Sequence, residues 1–485
     1  MLLGDIQRAT QDFVAHMPKT KRKQYGQFFT TVPTAQYMSS LFHVDTNKSA
    51  LRILDAGAGS GVLSASLIIS IRDKGYKGAI TLVCYENDVN IIPILRNNLE
   101  LLKQRYKISY VLLEENYITS QIFEEESLFS DKIEDFDLVI GNPPYKKISK
   151  DAPEALQMPE VCYGAPNLYF LFFSMGVYNL KEGGELVYII PRSWTSGAYF
   201  DKFRNYLFKH CVIERIHLFG SRDKIFKGES VLQETMIIKV RKTLKRPKTI
   251  CVSFSETSDF SDVSMHYLDY NTIVGANGYI YLVTSKEEAS VLARLGQLDS
   301  TLVSDGLPMK TGIIVDFRTR EILRNEGGEG TYPLFFSQHI KNGRVIWPIG
   351  KKNEYICTDR IGYLQENSNY VFVKRFTAKE EKRRLQCGIY LSEEYPQFKY
   401  ISTQNKINFI KCHTVDEAYG VYALLNSTLY DSYYRILNGS TQVNSTEVNN
   451  MPVPSESVIT QMGKELQGKK LSEQDCNSIV EKWIK

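Results

Sequence analysis

The sequence predicts an α/β protein: a seven-stranded, doubly wound, Rossmann-like domain followed by a mixed α+β domain. Strand-like and helix-like runs alternate through the first half of the chain. Several strand runs, such as Leu138-Val139-Ile140 and Val187-Tyr188-Ile189-Ile190, are apolar at consecutive positions. That pattern suits strands buried on both faces of a parallel sheet. The alternation then breaks at a basic, proline-containing stretch, Arg241–Lys248.

In chain order the strand runs are Arg52–Ala56, Ile80–Glu86, Ser109–Glu114, Phe136–Gly141, Glu185–Pro191, Val212–Phe219 and Glu234–Val240. Between them Val62–Arg72, Val89–Lys103, Asn167–Leu180 and Ala198–Lys209 read as helices. Strands with intervening helices wind into a parallel sheet with helices on both faces. The sixth and seventh runs lack a crossover helix, so they are expected as an antiparallel pair at one edge. The break at Arg241–Lys248 sets the expected boundary between a domain at residues 1–245 and another at 246–485.

The chain has 485 residues, 43% apolar and 24% charged, with a net charge of +4. These are values of an ordinary globular protein, mildly basic, which permits a polyanionic partner without demanding one. Thirty tyrosines and 24 phenylalanines supply rings for the core, and aromatic faces among basic side chains also suit unstacked bases. The eight cysteines are scattered, with no Cys-x-x-Cys pair and no histidine at zinc-site spacing, so no metal site is expected. The start of the chain has no secretory apolar core, and the apolar stretch around Leu168–Val177 is too short to span a bilayer. A reduced, cytoplasmic protein is expected, with no membrane partner.

Two motifs carry chemistry. Leu54-Asp55-Ala56-Gly57-Ala58-Gly59-Ser60-Gly61 closes the first strand run. Alternate glycines there let the backbone approach a ligand and turn into a helix, a property that nucleotide-binding dehydrogenases share. Asn142-Pro143-Pro144-Tyr145 follows the fourth strand run. Two prolines fix the backbone and leave rigidly aimed carbonyls. An exocyclic amine needs two acceptors to turn its lone pair toward an electrophile; the Asn142 side-chain oxygen and the Pro143 carbonyl supply them. Tyr145 offers a face on which a planar base stacks.

Together these segments resemble motifs I and IV of the amino-group DNA methyltransferases. Lys23-Gln24-Tyr25-Gly26-Gln27-Phe28-Phe29-Thr30 resembles motif X, which in that family closes over the methionine end of S-adenosylmethionine. Thr30-Thr31-Val32-Pro33 departs from the family's usual Thr-Pro. Motif X first, then I, then IV, with a specificity region last, is the order of the γ-class N6-adenine DNA methyltransferases. The resemblance spans nearly the whole chain and lies nearest the TaqI-like and BsuBI/PstI-type modification methylases.

The resemblance implies S-adenosylmethionine as cofactor. Tyr25, Thr30, Asp55, Gly57, Gly59, Gly61, Glu86, Asn116 and Tyr117 would bind it. Asp55 would meet the ammonium group, Glu86 the ribose hydroxyls, and Asn116 and Tyr117 the adenine. Phe226 falls where the family has a second aromatic against the target base, although an ordinary core phenylalanine fits there as well. A flipped-out adenine in double-stranded DNA would receive the methyl group directly at N6. With no Pro-Cys dipeptide in the chain, the thiol route of cytosine C5 methylation is unsupported.

In the second half, Met309–Arg320 resembles a segment of the family's recognition domains. It holds Lys310, Arg318 and Arg320, while Lys374, Arg375, Lys382, Arg383 and Arg384 form a dense basic cluster. Such cations would hold DNA through its phosphates; a solvated helix face is the alternative. Asn438–Asn444 carries amides that either read base edges or cap turns. Residues 246–485 are thus expected as a target-recognition domain. The short N-terminal segment leaves no room for a nuclease, so a cognate restriction endonuclease is expected as a separate protein. The rival reading is an RNA or protein-glutamine methyltransferase, since Asn-Pro-Pro-Tyr suits any planar amino group.

Overall fold

Apolar strand runs separated by helices close into one large sheet, as the periodicity requires. The computed structural model describes residues 2–16, 30–123, 135–220, 235–378, 381–437 and 441–484. The first compact unit, Met1–Thr284, contains β1 (Ala50–Ala56), β2 (Ala79–Tyr85), β3 (Ser109–Leu113), β4 (Phe136–Gly141), β5 (Leu180–Pro191), β6 (Cys211–Phe219), β7 (Thr235–Lys242), β8 (Thr249–Ser255) and β9 (Ser264–Asp269). Their order is β3-β2-β1-β4-β5-β7-β6-β8-β9. Strands β1 to β5 pair in parallel, and β7 runs antiparallel to both β5 and β6.

All seven expected strands are present, and the expected antiparallel pairing of the sixth and seventh holds. Two features differ. Strands β8 and β9 extend the sheet to nine, so β6 and β7 are interior rather than at an edge. The first compact unit therefore runs to Thr284, beyond the expected boundary at Lys245. The basic stretch that suggested a boundary is the end of β7 and its short connection to β8.

Seven helices of this unit are α1 (Leu2–His16), α2 (Val32–Ser40), α3 (Val62–Asp73), α4 (Ile92–Tyr106), α5 (Pro153–Gln157), α6 (Leu168–Asn179) and α7 (Asp201–His210). Leu2 and Ile6 of α1, Met38 of α2, Leu67 and Ile71 of α3, and Leu95 and Leu99 of α4 share a core with Ile53 and Leu82 of the sheet. Helix α6 is apolar all round and buried from Tyr169 to Asn179, as a helix enclosed on every side must be.

The second compact unit, Ser285–Lys485, is mixed α and β. A six-stranded sheet contains Asn369–Lys374, Cys387–Tyr390 and Ile407–Cys412, and a five-stranded sheet contains Thr331–Phe335 and Tyr400–Thr403. Phe335, Trp347, Tyr370, Phe372 and Tyr390 fill one core. Helices Val415–Leu425 and Glu456–Leu466 pack so closely that a Cβ on Gly463 would overlap the Asp416 carbonyl oxygen.

Candidate active site

Parallel pairing puts the C-terminal ends of β1, β2, β3 and β4 along one edge of the sheet. The register sets Ala56 beside Tyr85, Tyr85 beside Leu113, and Asp55 beside Ile140. The strand order reverses between β1 and β4, and a crevice opens at such a switch point. Four segments leave the sheet there: Gly57–Gly61, Glu86–Asn87, Glu115–Tyr117 and Asn142–Tyr145. A cleft of about 250 Å³ lies among them, lined by Gly57, Gly59, Glu86, Asn116, Tyr117, Asn142 and Pro144, with Thr30 and Phe172.

The glycine turn owes its path to left-handed backbone. Gly57, Gly59 and Gly61 have φ of 72°, 57° and 81°, a region that side chains disfavour. The N–H groups of Gly57 and Ala58 both donate to the Tyr85 carbonyl at 2.9 Å, tying the turn to β2. The Gly59 N–H donates to Glu86 Oε2 at 2.8 Å, and the Asn87 and Asp88 N–H groups donate to Oε1, each at 2.9 Å. Three backbone donors thus lock the Glu86 carboxylate at the cleft wall. Burial raises its pKa, and those three bonds oppose the rise.

Asp55 and Gly61 do not line the cleft. Asp55 is fully buried, and its Oδ2 accepts from Ser64 Oγ at 2.6 Å and Ser64 N at 3.1 Å, capping the first turn of α3. Through Oδ2 the Asp55 carboxylate holds the helix that follows the turn, while its Oδ1 is buried with no hydrogen-bond partner among the described residues. Gly61 is the residue from which α3 starts, and a Cβ there would come within 2.9 Å of Leu95 on α4.

Burial raises the Asp55 pKa from 3.8 to about 7, against the Ser64 hydrogen bonds that lower it. The folded state therefore keeps a proton that the unfolded chain releases, so stability falls as pH rises from about 4 to about 7. Asp55→Asn keeps an acceptor for Ser64 and removes this titration. Its thermal midpoint is expected to depend less on pH between 5 and 8 than that of the parent. An identical pH slope in both proteins would contradict the protonation assigned to Asp55.

Asn116 and Tyr117 both line the cleft, in different roles. Asn116 Oδ1 accepts from the N–H groups of Ile118 at 3.0 Å and Thr119 at 3.2 Å, while its Nδ2 donates to Glu154 Oε1 at 2.8 Å. The Tyr117 hydroxyl donates to Asn179 Oδ1 at 2.7 Å, and its ring lies 5.2 Å from that of Phe172. Phe172 and Glu154 are lining residues that sequence reasoning missed. Phe172 sits in a helix apolar on every side, where one ring facing a cleft leaves no trace in the pattern.

At the Asn142–Tyr145 loop, a Cβ at Gly141 would lie 2.7 Å from the Tyr188 ring, so glycine lets β4 run tight against β5 just before Asn142. Asn142 Nδ2 donates to Thr30 Oγ1 at 3.1 Å. Pro144 lines the cleft and Pro143 is buried beside it. The Tyr145 hydroxyl donates to the Ile189 carbonyl at 3.0 Å, fixing the ring at the end of β5; Tyr145 is not among the cleft-lining residues. Tyr25 and Phe226 lie outside the described residues.

The Thr30 bond fixes the Nδ2 end of the Asn142 amide and so sets where its Oδ1 points. Thr30→Val removes that acceptor, and turnover is expected to fall about tenfold with cofactor affinity within a few-fold, while Thr30→Ser restores the rate. Weakened cofactor binding with unchanged turnover would assign the hydroxyl to the cofactor instead.

Comparison with known proteins assigns the chain to a family. The family model for the Eco57I restriction-modification methylase matches residues 40–226. The type II methyltransferase M.BsuBI of Bacillus subtilis is 34% identical over 461 residues, 92% of this chain and 91% of that protein. M.PstI of Providencia stuartii, also a type II methyltransferase, is 32% identical over 96% of this chain and 94% of its own length. This chain belongs to the type II restriction-modification methyltransferases. A structure of the type IIL restriction-modification enzyme MmeI in complex with DNA aligns with 99% of this methyltransferase and 73% of that chain. Its TM-score of 0.55 at 11% identity marks a likeness of fold.

The basic residues of the methyltransferase's second unit divide sharply. Lys310, Arg318 and Arg320 are exposed, and Lys382 keeps 87% of its side chain accessible. Lys374 and Arg375 are half-buried, donating to Gln386 Oε1 at 2.8 Å and the Asn405 carbonyl at 3.0 Å. Arg383 donates to the carbonyls of Leu425 and Ser427, both at 3.1 Å, at the end of helix Val415–Leu425. Arg384 is only 1% exposed, with Nε on Thr377 Oγ1 at 3.2 Å and its guanidinium over the Tyr434 ring. The expectation that Arg383 and Arg384 contact phosphates is therefore corrected; both are structural. Of the amide segment, 438–440 lies outside the described residues, and Gln442 bridges to Phe376.

Among the described residues, no cluster of three or more metal-ligating side chains occurs, and no helix is long and apolar enough to cross a membrane. All eight cysteines are free thiols.

Proposed function

We propose that this methyltransferase carries a methyl group from S-adenosylmethionine to N6 of an adenine flipped out of a specific duplex sequence, as the modification enzyme of a restriction-modification system. The observation that carries the reading is convergence: the glycine turn, Glu86 and Asn142-Pro143-Pro144 meet in one cleft at the switch point of the sheet. The residues present fit the cofactor. Gly57 and Gly59 leave the turn bare of side chains, Glu86 presents a fixed carboxylate for ribose hydroxyls, and Tyr117 and Phe172 give aromatic walls for a purine.

Bound there, S-adenosylmethionine supplies an electrophilic methyl group on a sulfonium centre. The protein's part is orientation and electrostatics. An aromatic amine delocalises its lone pair into the ring, so it is a poor nucleophile until both N–H bonds are held out of plane. The Asn142 side-chain oxygen and the Pro143 carbonyl are the acceptors for them, and the transition state, in which positive charge grows on nitrogen, strengthens both bonds. The Thr30 hydroxyl sets the Asn142 amide. Tyr145, anchored through Ile189, offers the ring for stacking. Because the amine is unreachable inside the duplex stack, the base must leave it first.

The second unit would be the target-recognition domain, with Lys310, Arg318, Arg320 and Lys382 as its phosphate contacts. The endonuclease acting on the same site would be a separate protein.

The substrate class is tested by incubating the protein with tritiated S-adenosylmethionine and duplex DNA, tRNA or total cell protein in parallel. Label in DNA alone is expected. Label in tRNA or protein would keep the cofactor assignment and overturn the DNA reading.

A further inference from the structure

We infer that Glu154, rather than Asn116, accepts the exocyclic amine of the cofactor's adenine, and that Asn116 serves to anchor it. The inference rests on the cofactor reading above and specifies how its purine end is recognised.

Donors and acceptors at Asn116 and Glu154 decide the assignment. Asn116 Oδ1 already accepts two backbone N–H groups, from Ile118 and Thr119 at 3.0 and 3.2 Å, which occupies both carbonyl lone pairs. The amide cannot be turned over, because its NH₂ would then face those two N–H groups. Asn116 therefore has no acceptor to give an amine. Its Nδ2 donates to Glu154 Oε1 at 2.8 Å, and Glu154 lines the same cleft wall as Asn116, Tyr117 and Phe172.

An ionised carboxylate has about four acceptor sites, so Glu154 keeps capacity after binding Asn116. The pair thus offers a carboxylate acceptor beside the second N–H of an amide. The Watson–Crick edge of adenine offers the complement, an amino donor beside the N1 acceptor. A base with a carbonyl at that position would set oxygen against carboxylate and be rejected.

Glu154 is also held in place. It lies in the first turn of α5, and at the last residue of that helix Gln157 Nε2 donates to the Gln121 carbonyl at 2.9 Å. Gln121 Nε2 in turn donates to the Tyr117 carbonyl at 2.6 Å. The segment that follows the catalytic loop is thereby tied to the segment that follows β3 at two points. One closes the purine end of the cleft with a carboxylate.

Calorimetric titration of the full chain with S-adenosylhomocysteine, and with its purine analogue lacking the amino group, tests this. The parent protein is expected to prefer the adenine compound by about tenfold or more, the scale of a charge-assisted hydrogen bond. Glu154→Ala should lose that preference by weakening the adenine ligand alone, and Glu154→Gln should lose part of it. A preference unchanged in Glu154→Ala would overturn the assignment while leaving the cofactor site intact. An equal loss of both ligands would make Glu154 a support of the cleft and overturn it too. A parent protein that bound neither ligand would overturn the cofactor reading itself.

Discussion

Asn142→Ala is expected to lower single-turnover methyl transfer by about 10²–10³-fold or more, while the affinity for S-adenosylmethionine stays within a few-fold of the parent. The magnitude is that of deleting one preorganised polar contact to a charge-developing centre. The asymmetry between rate and affinity follows from position. Asn142 stands at the end of β4, and the proposed ribose and purine contacts, Glu86, Glu154 and Tyr117, are separate residues of the cleft lining. A contact made to the acceptor base and strengthened in the transition state appears in the rate. Equilibrium binding of the cofactor, measured by titration, and a single-turnover rate from methylated product separate the two. If the variant lost cofactor affinity in proportion to its rate, Asn142 would belong to the cofactor site and not to the reacting centre.

Arg384→Ala is expected to destabilise the second unit by about 2–4 kcal/mol, and to do so without a DNA ligand present. The residue is nearly inaccessible and bonds Thr377, and Asp431 Oδ1 accepts from the N–H groups of both Arg384 and Leu385 at 2.8 Å. Asp431 Oδ2 accepts from Arg435 Nε at 2.8 Å, so one carboxylate joins the segment before strand Cys387–Tyr390 to helix Thr428–Leu437. Removing the guanidinium opens a polar-lined void and strips Tyr434 of its stacked cation. Denaturant unfolding should show the loss in the transition of the second unit. Replacing Lys310, Arg318 and Arg320 with alanine should do the reverse, weakening DNA binding and flattening its salt dependence with the unfolding midpoint unchanged. Wild-type stability in Arg384→Ala would return that residue to the DNA surface.

The contrast between Arg318 and Arg384 marks where sequence reading works and where it stops. Burial of a cation is costly, so a run such as Lys382-Arg383-Arg384 reads as surface. A guanidinium, however, can be buried when partners meet it: the Leu425 and Ser427 carbonyls meet Arg383, and the Thr377 hydroxyl and the Tyr434 ring meet Arg384, all but Thr377 remote in the chain. No local pattern reveals that.

The catalytic half was far more legible. Its motifs sit at strand ends, and strand ends are fixed by apolar runs whose period is visible. Once β1 and β4 are adjacent and parallel, Gly57 and Asn142 must open on the same crevice. What the pattern could not give was side-chain destination. Asp55 stands one residue before the strand end, and its Oδ2 turns back to Ser64 on α3, a helix-holding task that the glycine motif does not announce. Asn116 occupies the expected position, yet two backbone N–H groups capture its oxygen, a matter of local turn geometry. Strands β8 and β9 were hidden for a simpler reason. Pro247 and the charges around it resemble a linker, while physically they make a solvated turn into one more strand pair.

The target atom is the centre of the proposal, and nucleoside analysis of methylated duplex DNA addresses it directly. Duplex carrying the protein's own recognition sites is methylated with labelled S-adenosylmethionine, digested to nucleosides and resolved by chromatography with mass detection. N6-methyldeoxyadenosine as the sole labelled product is the expected result. Label in N4-methyldeoxycytidine would keep Asn142-Pro143-Pro144-Tyr145 as an amine-activating loop and contradict adenine as the base it receives, whereas label in 5-methyldeoxycytidine would contradict direct transfer to an amine altogether.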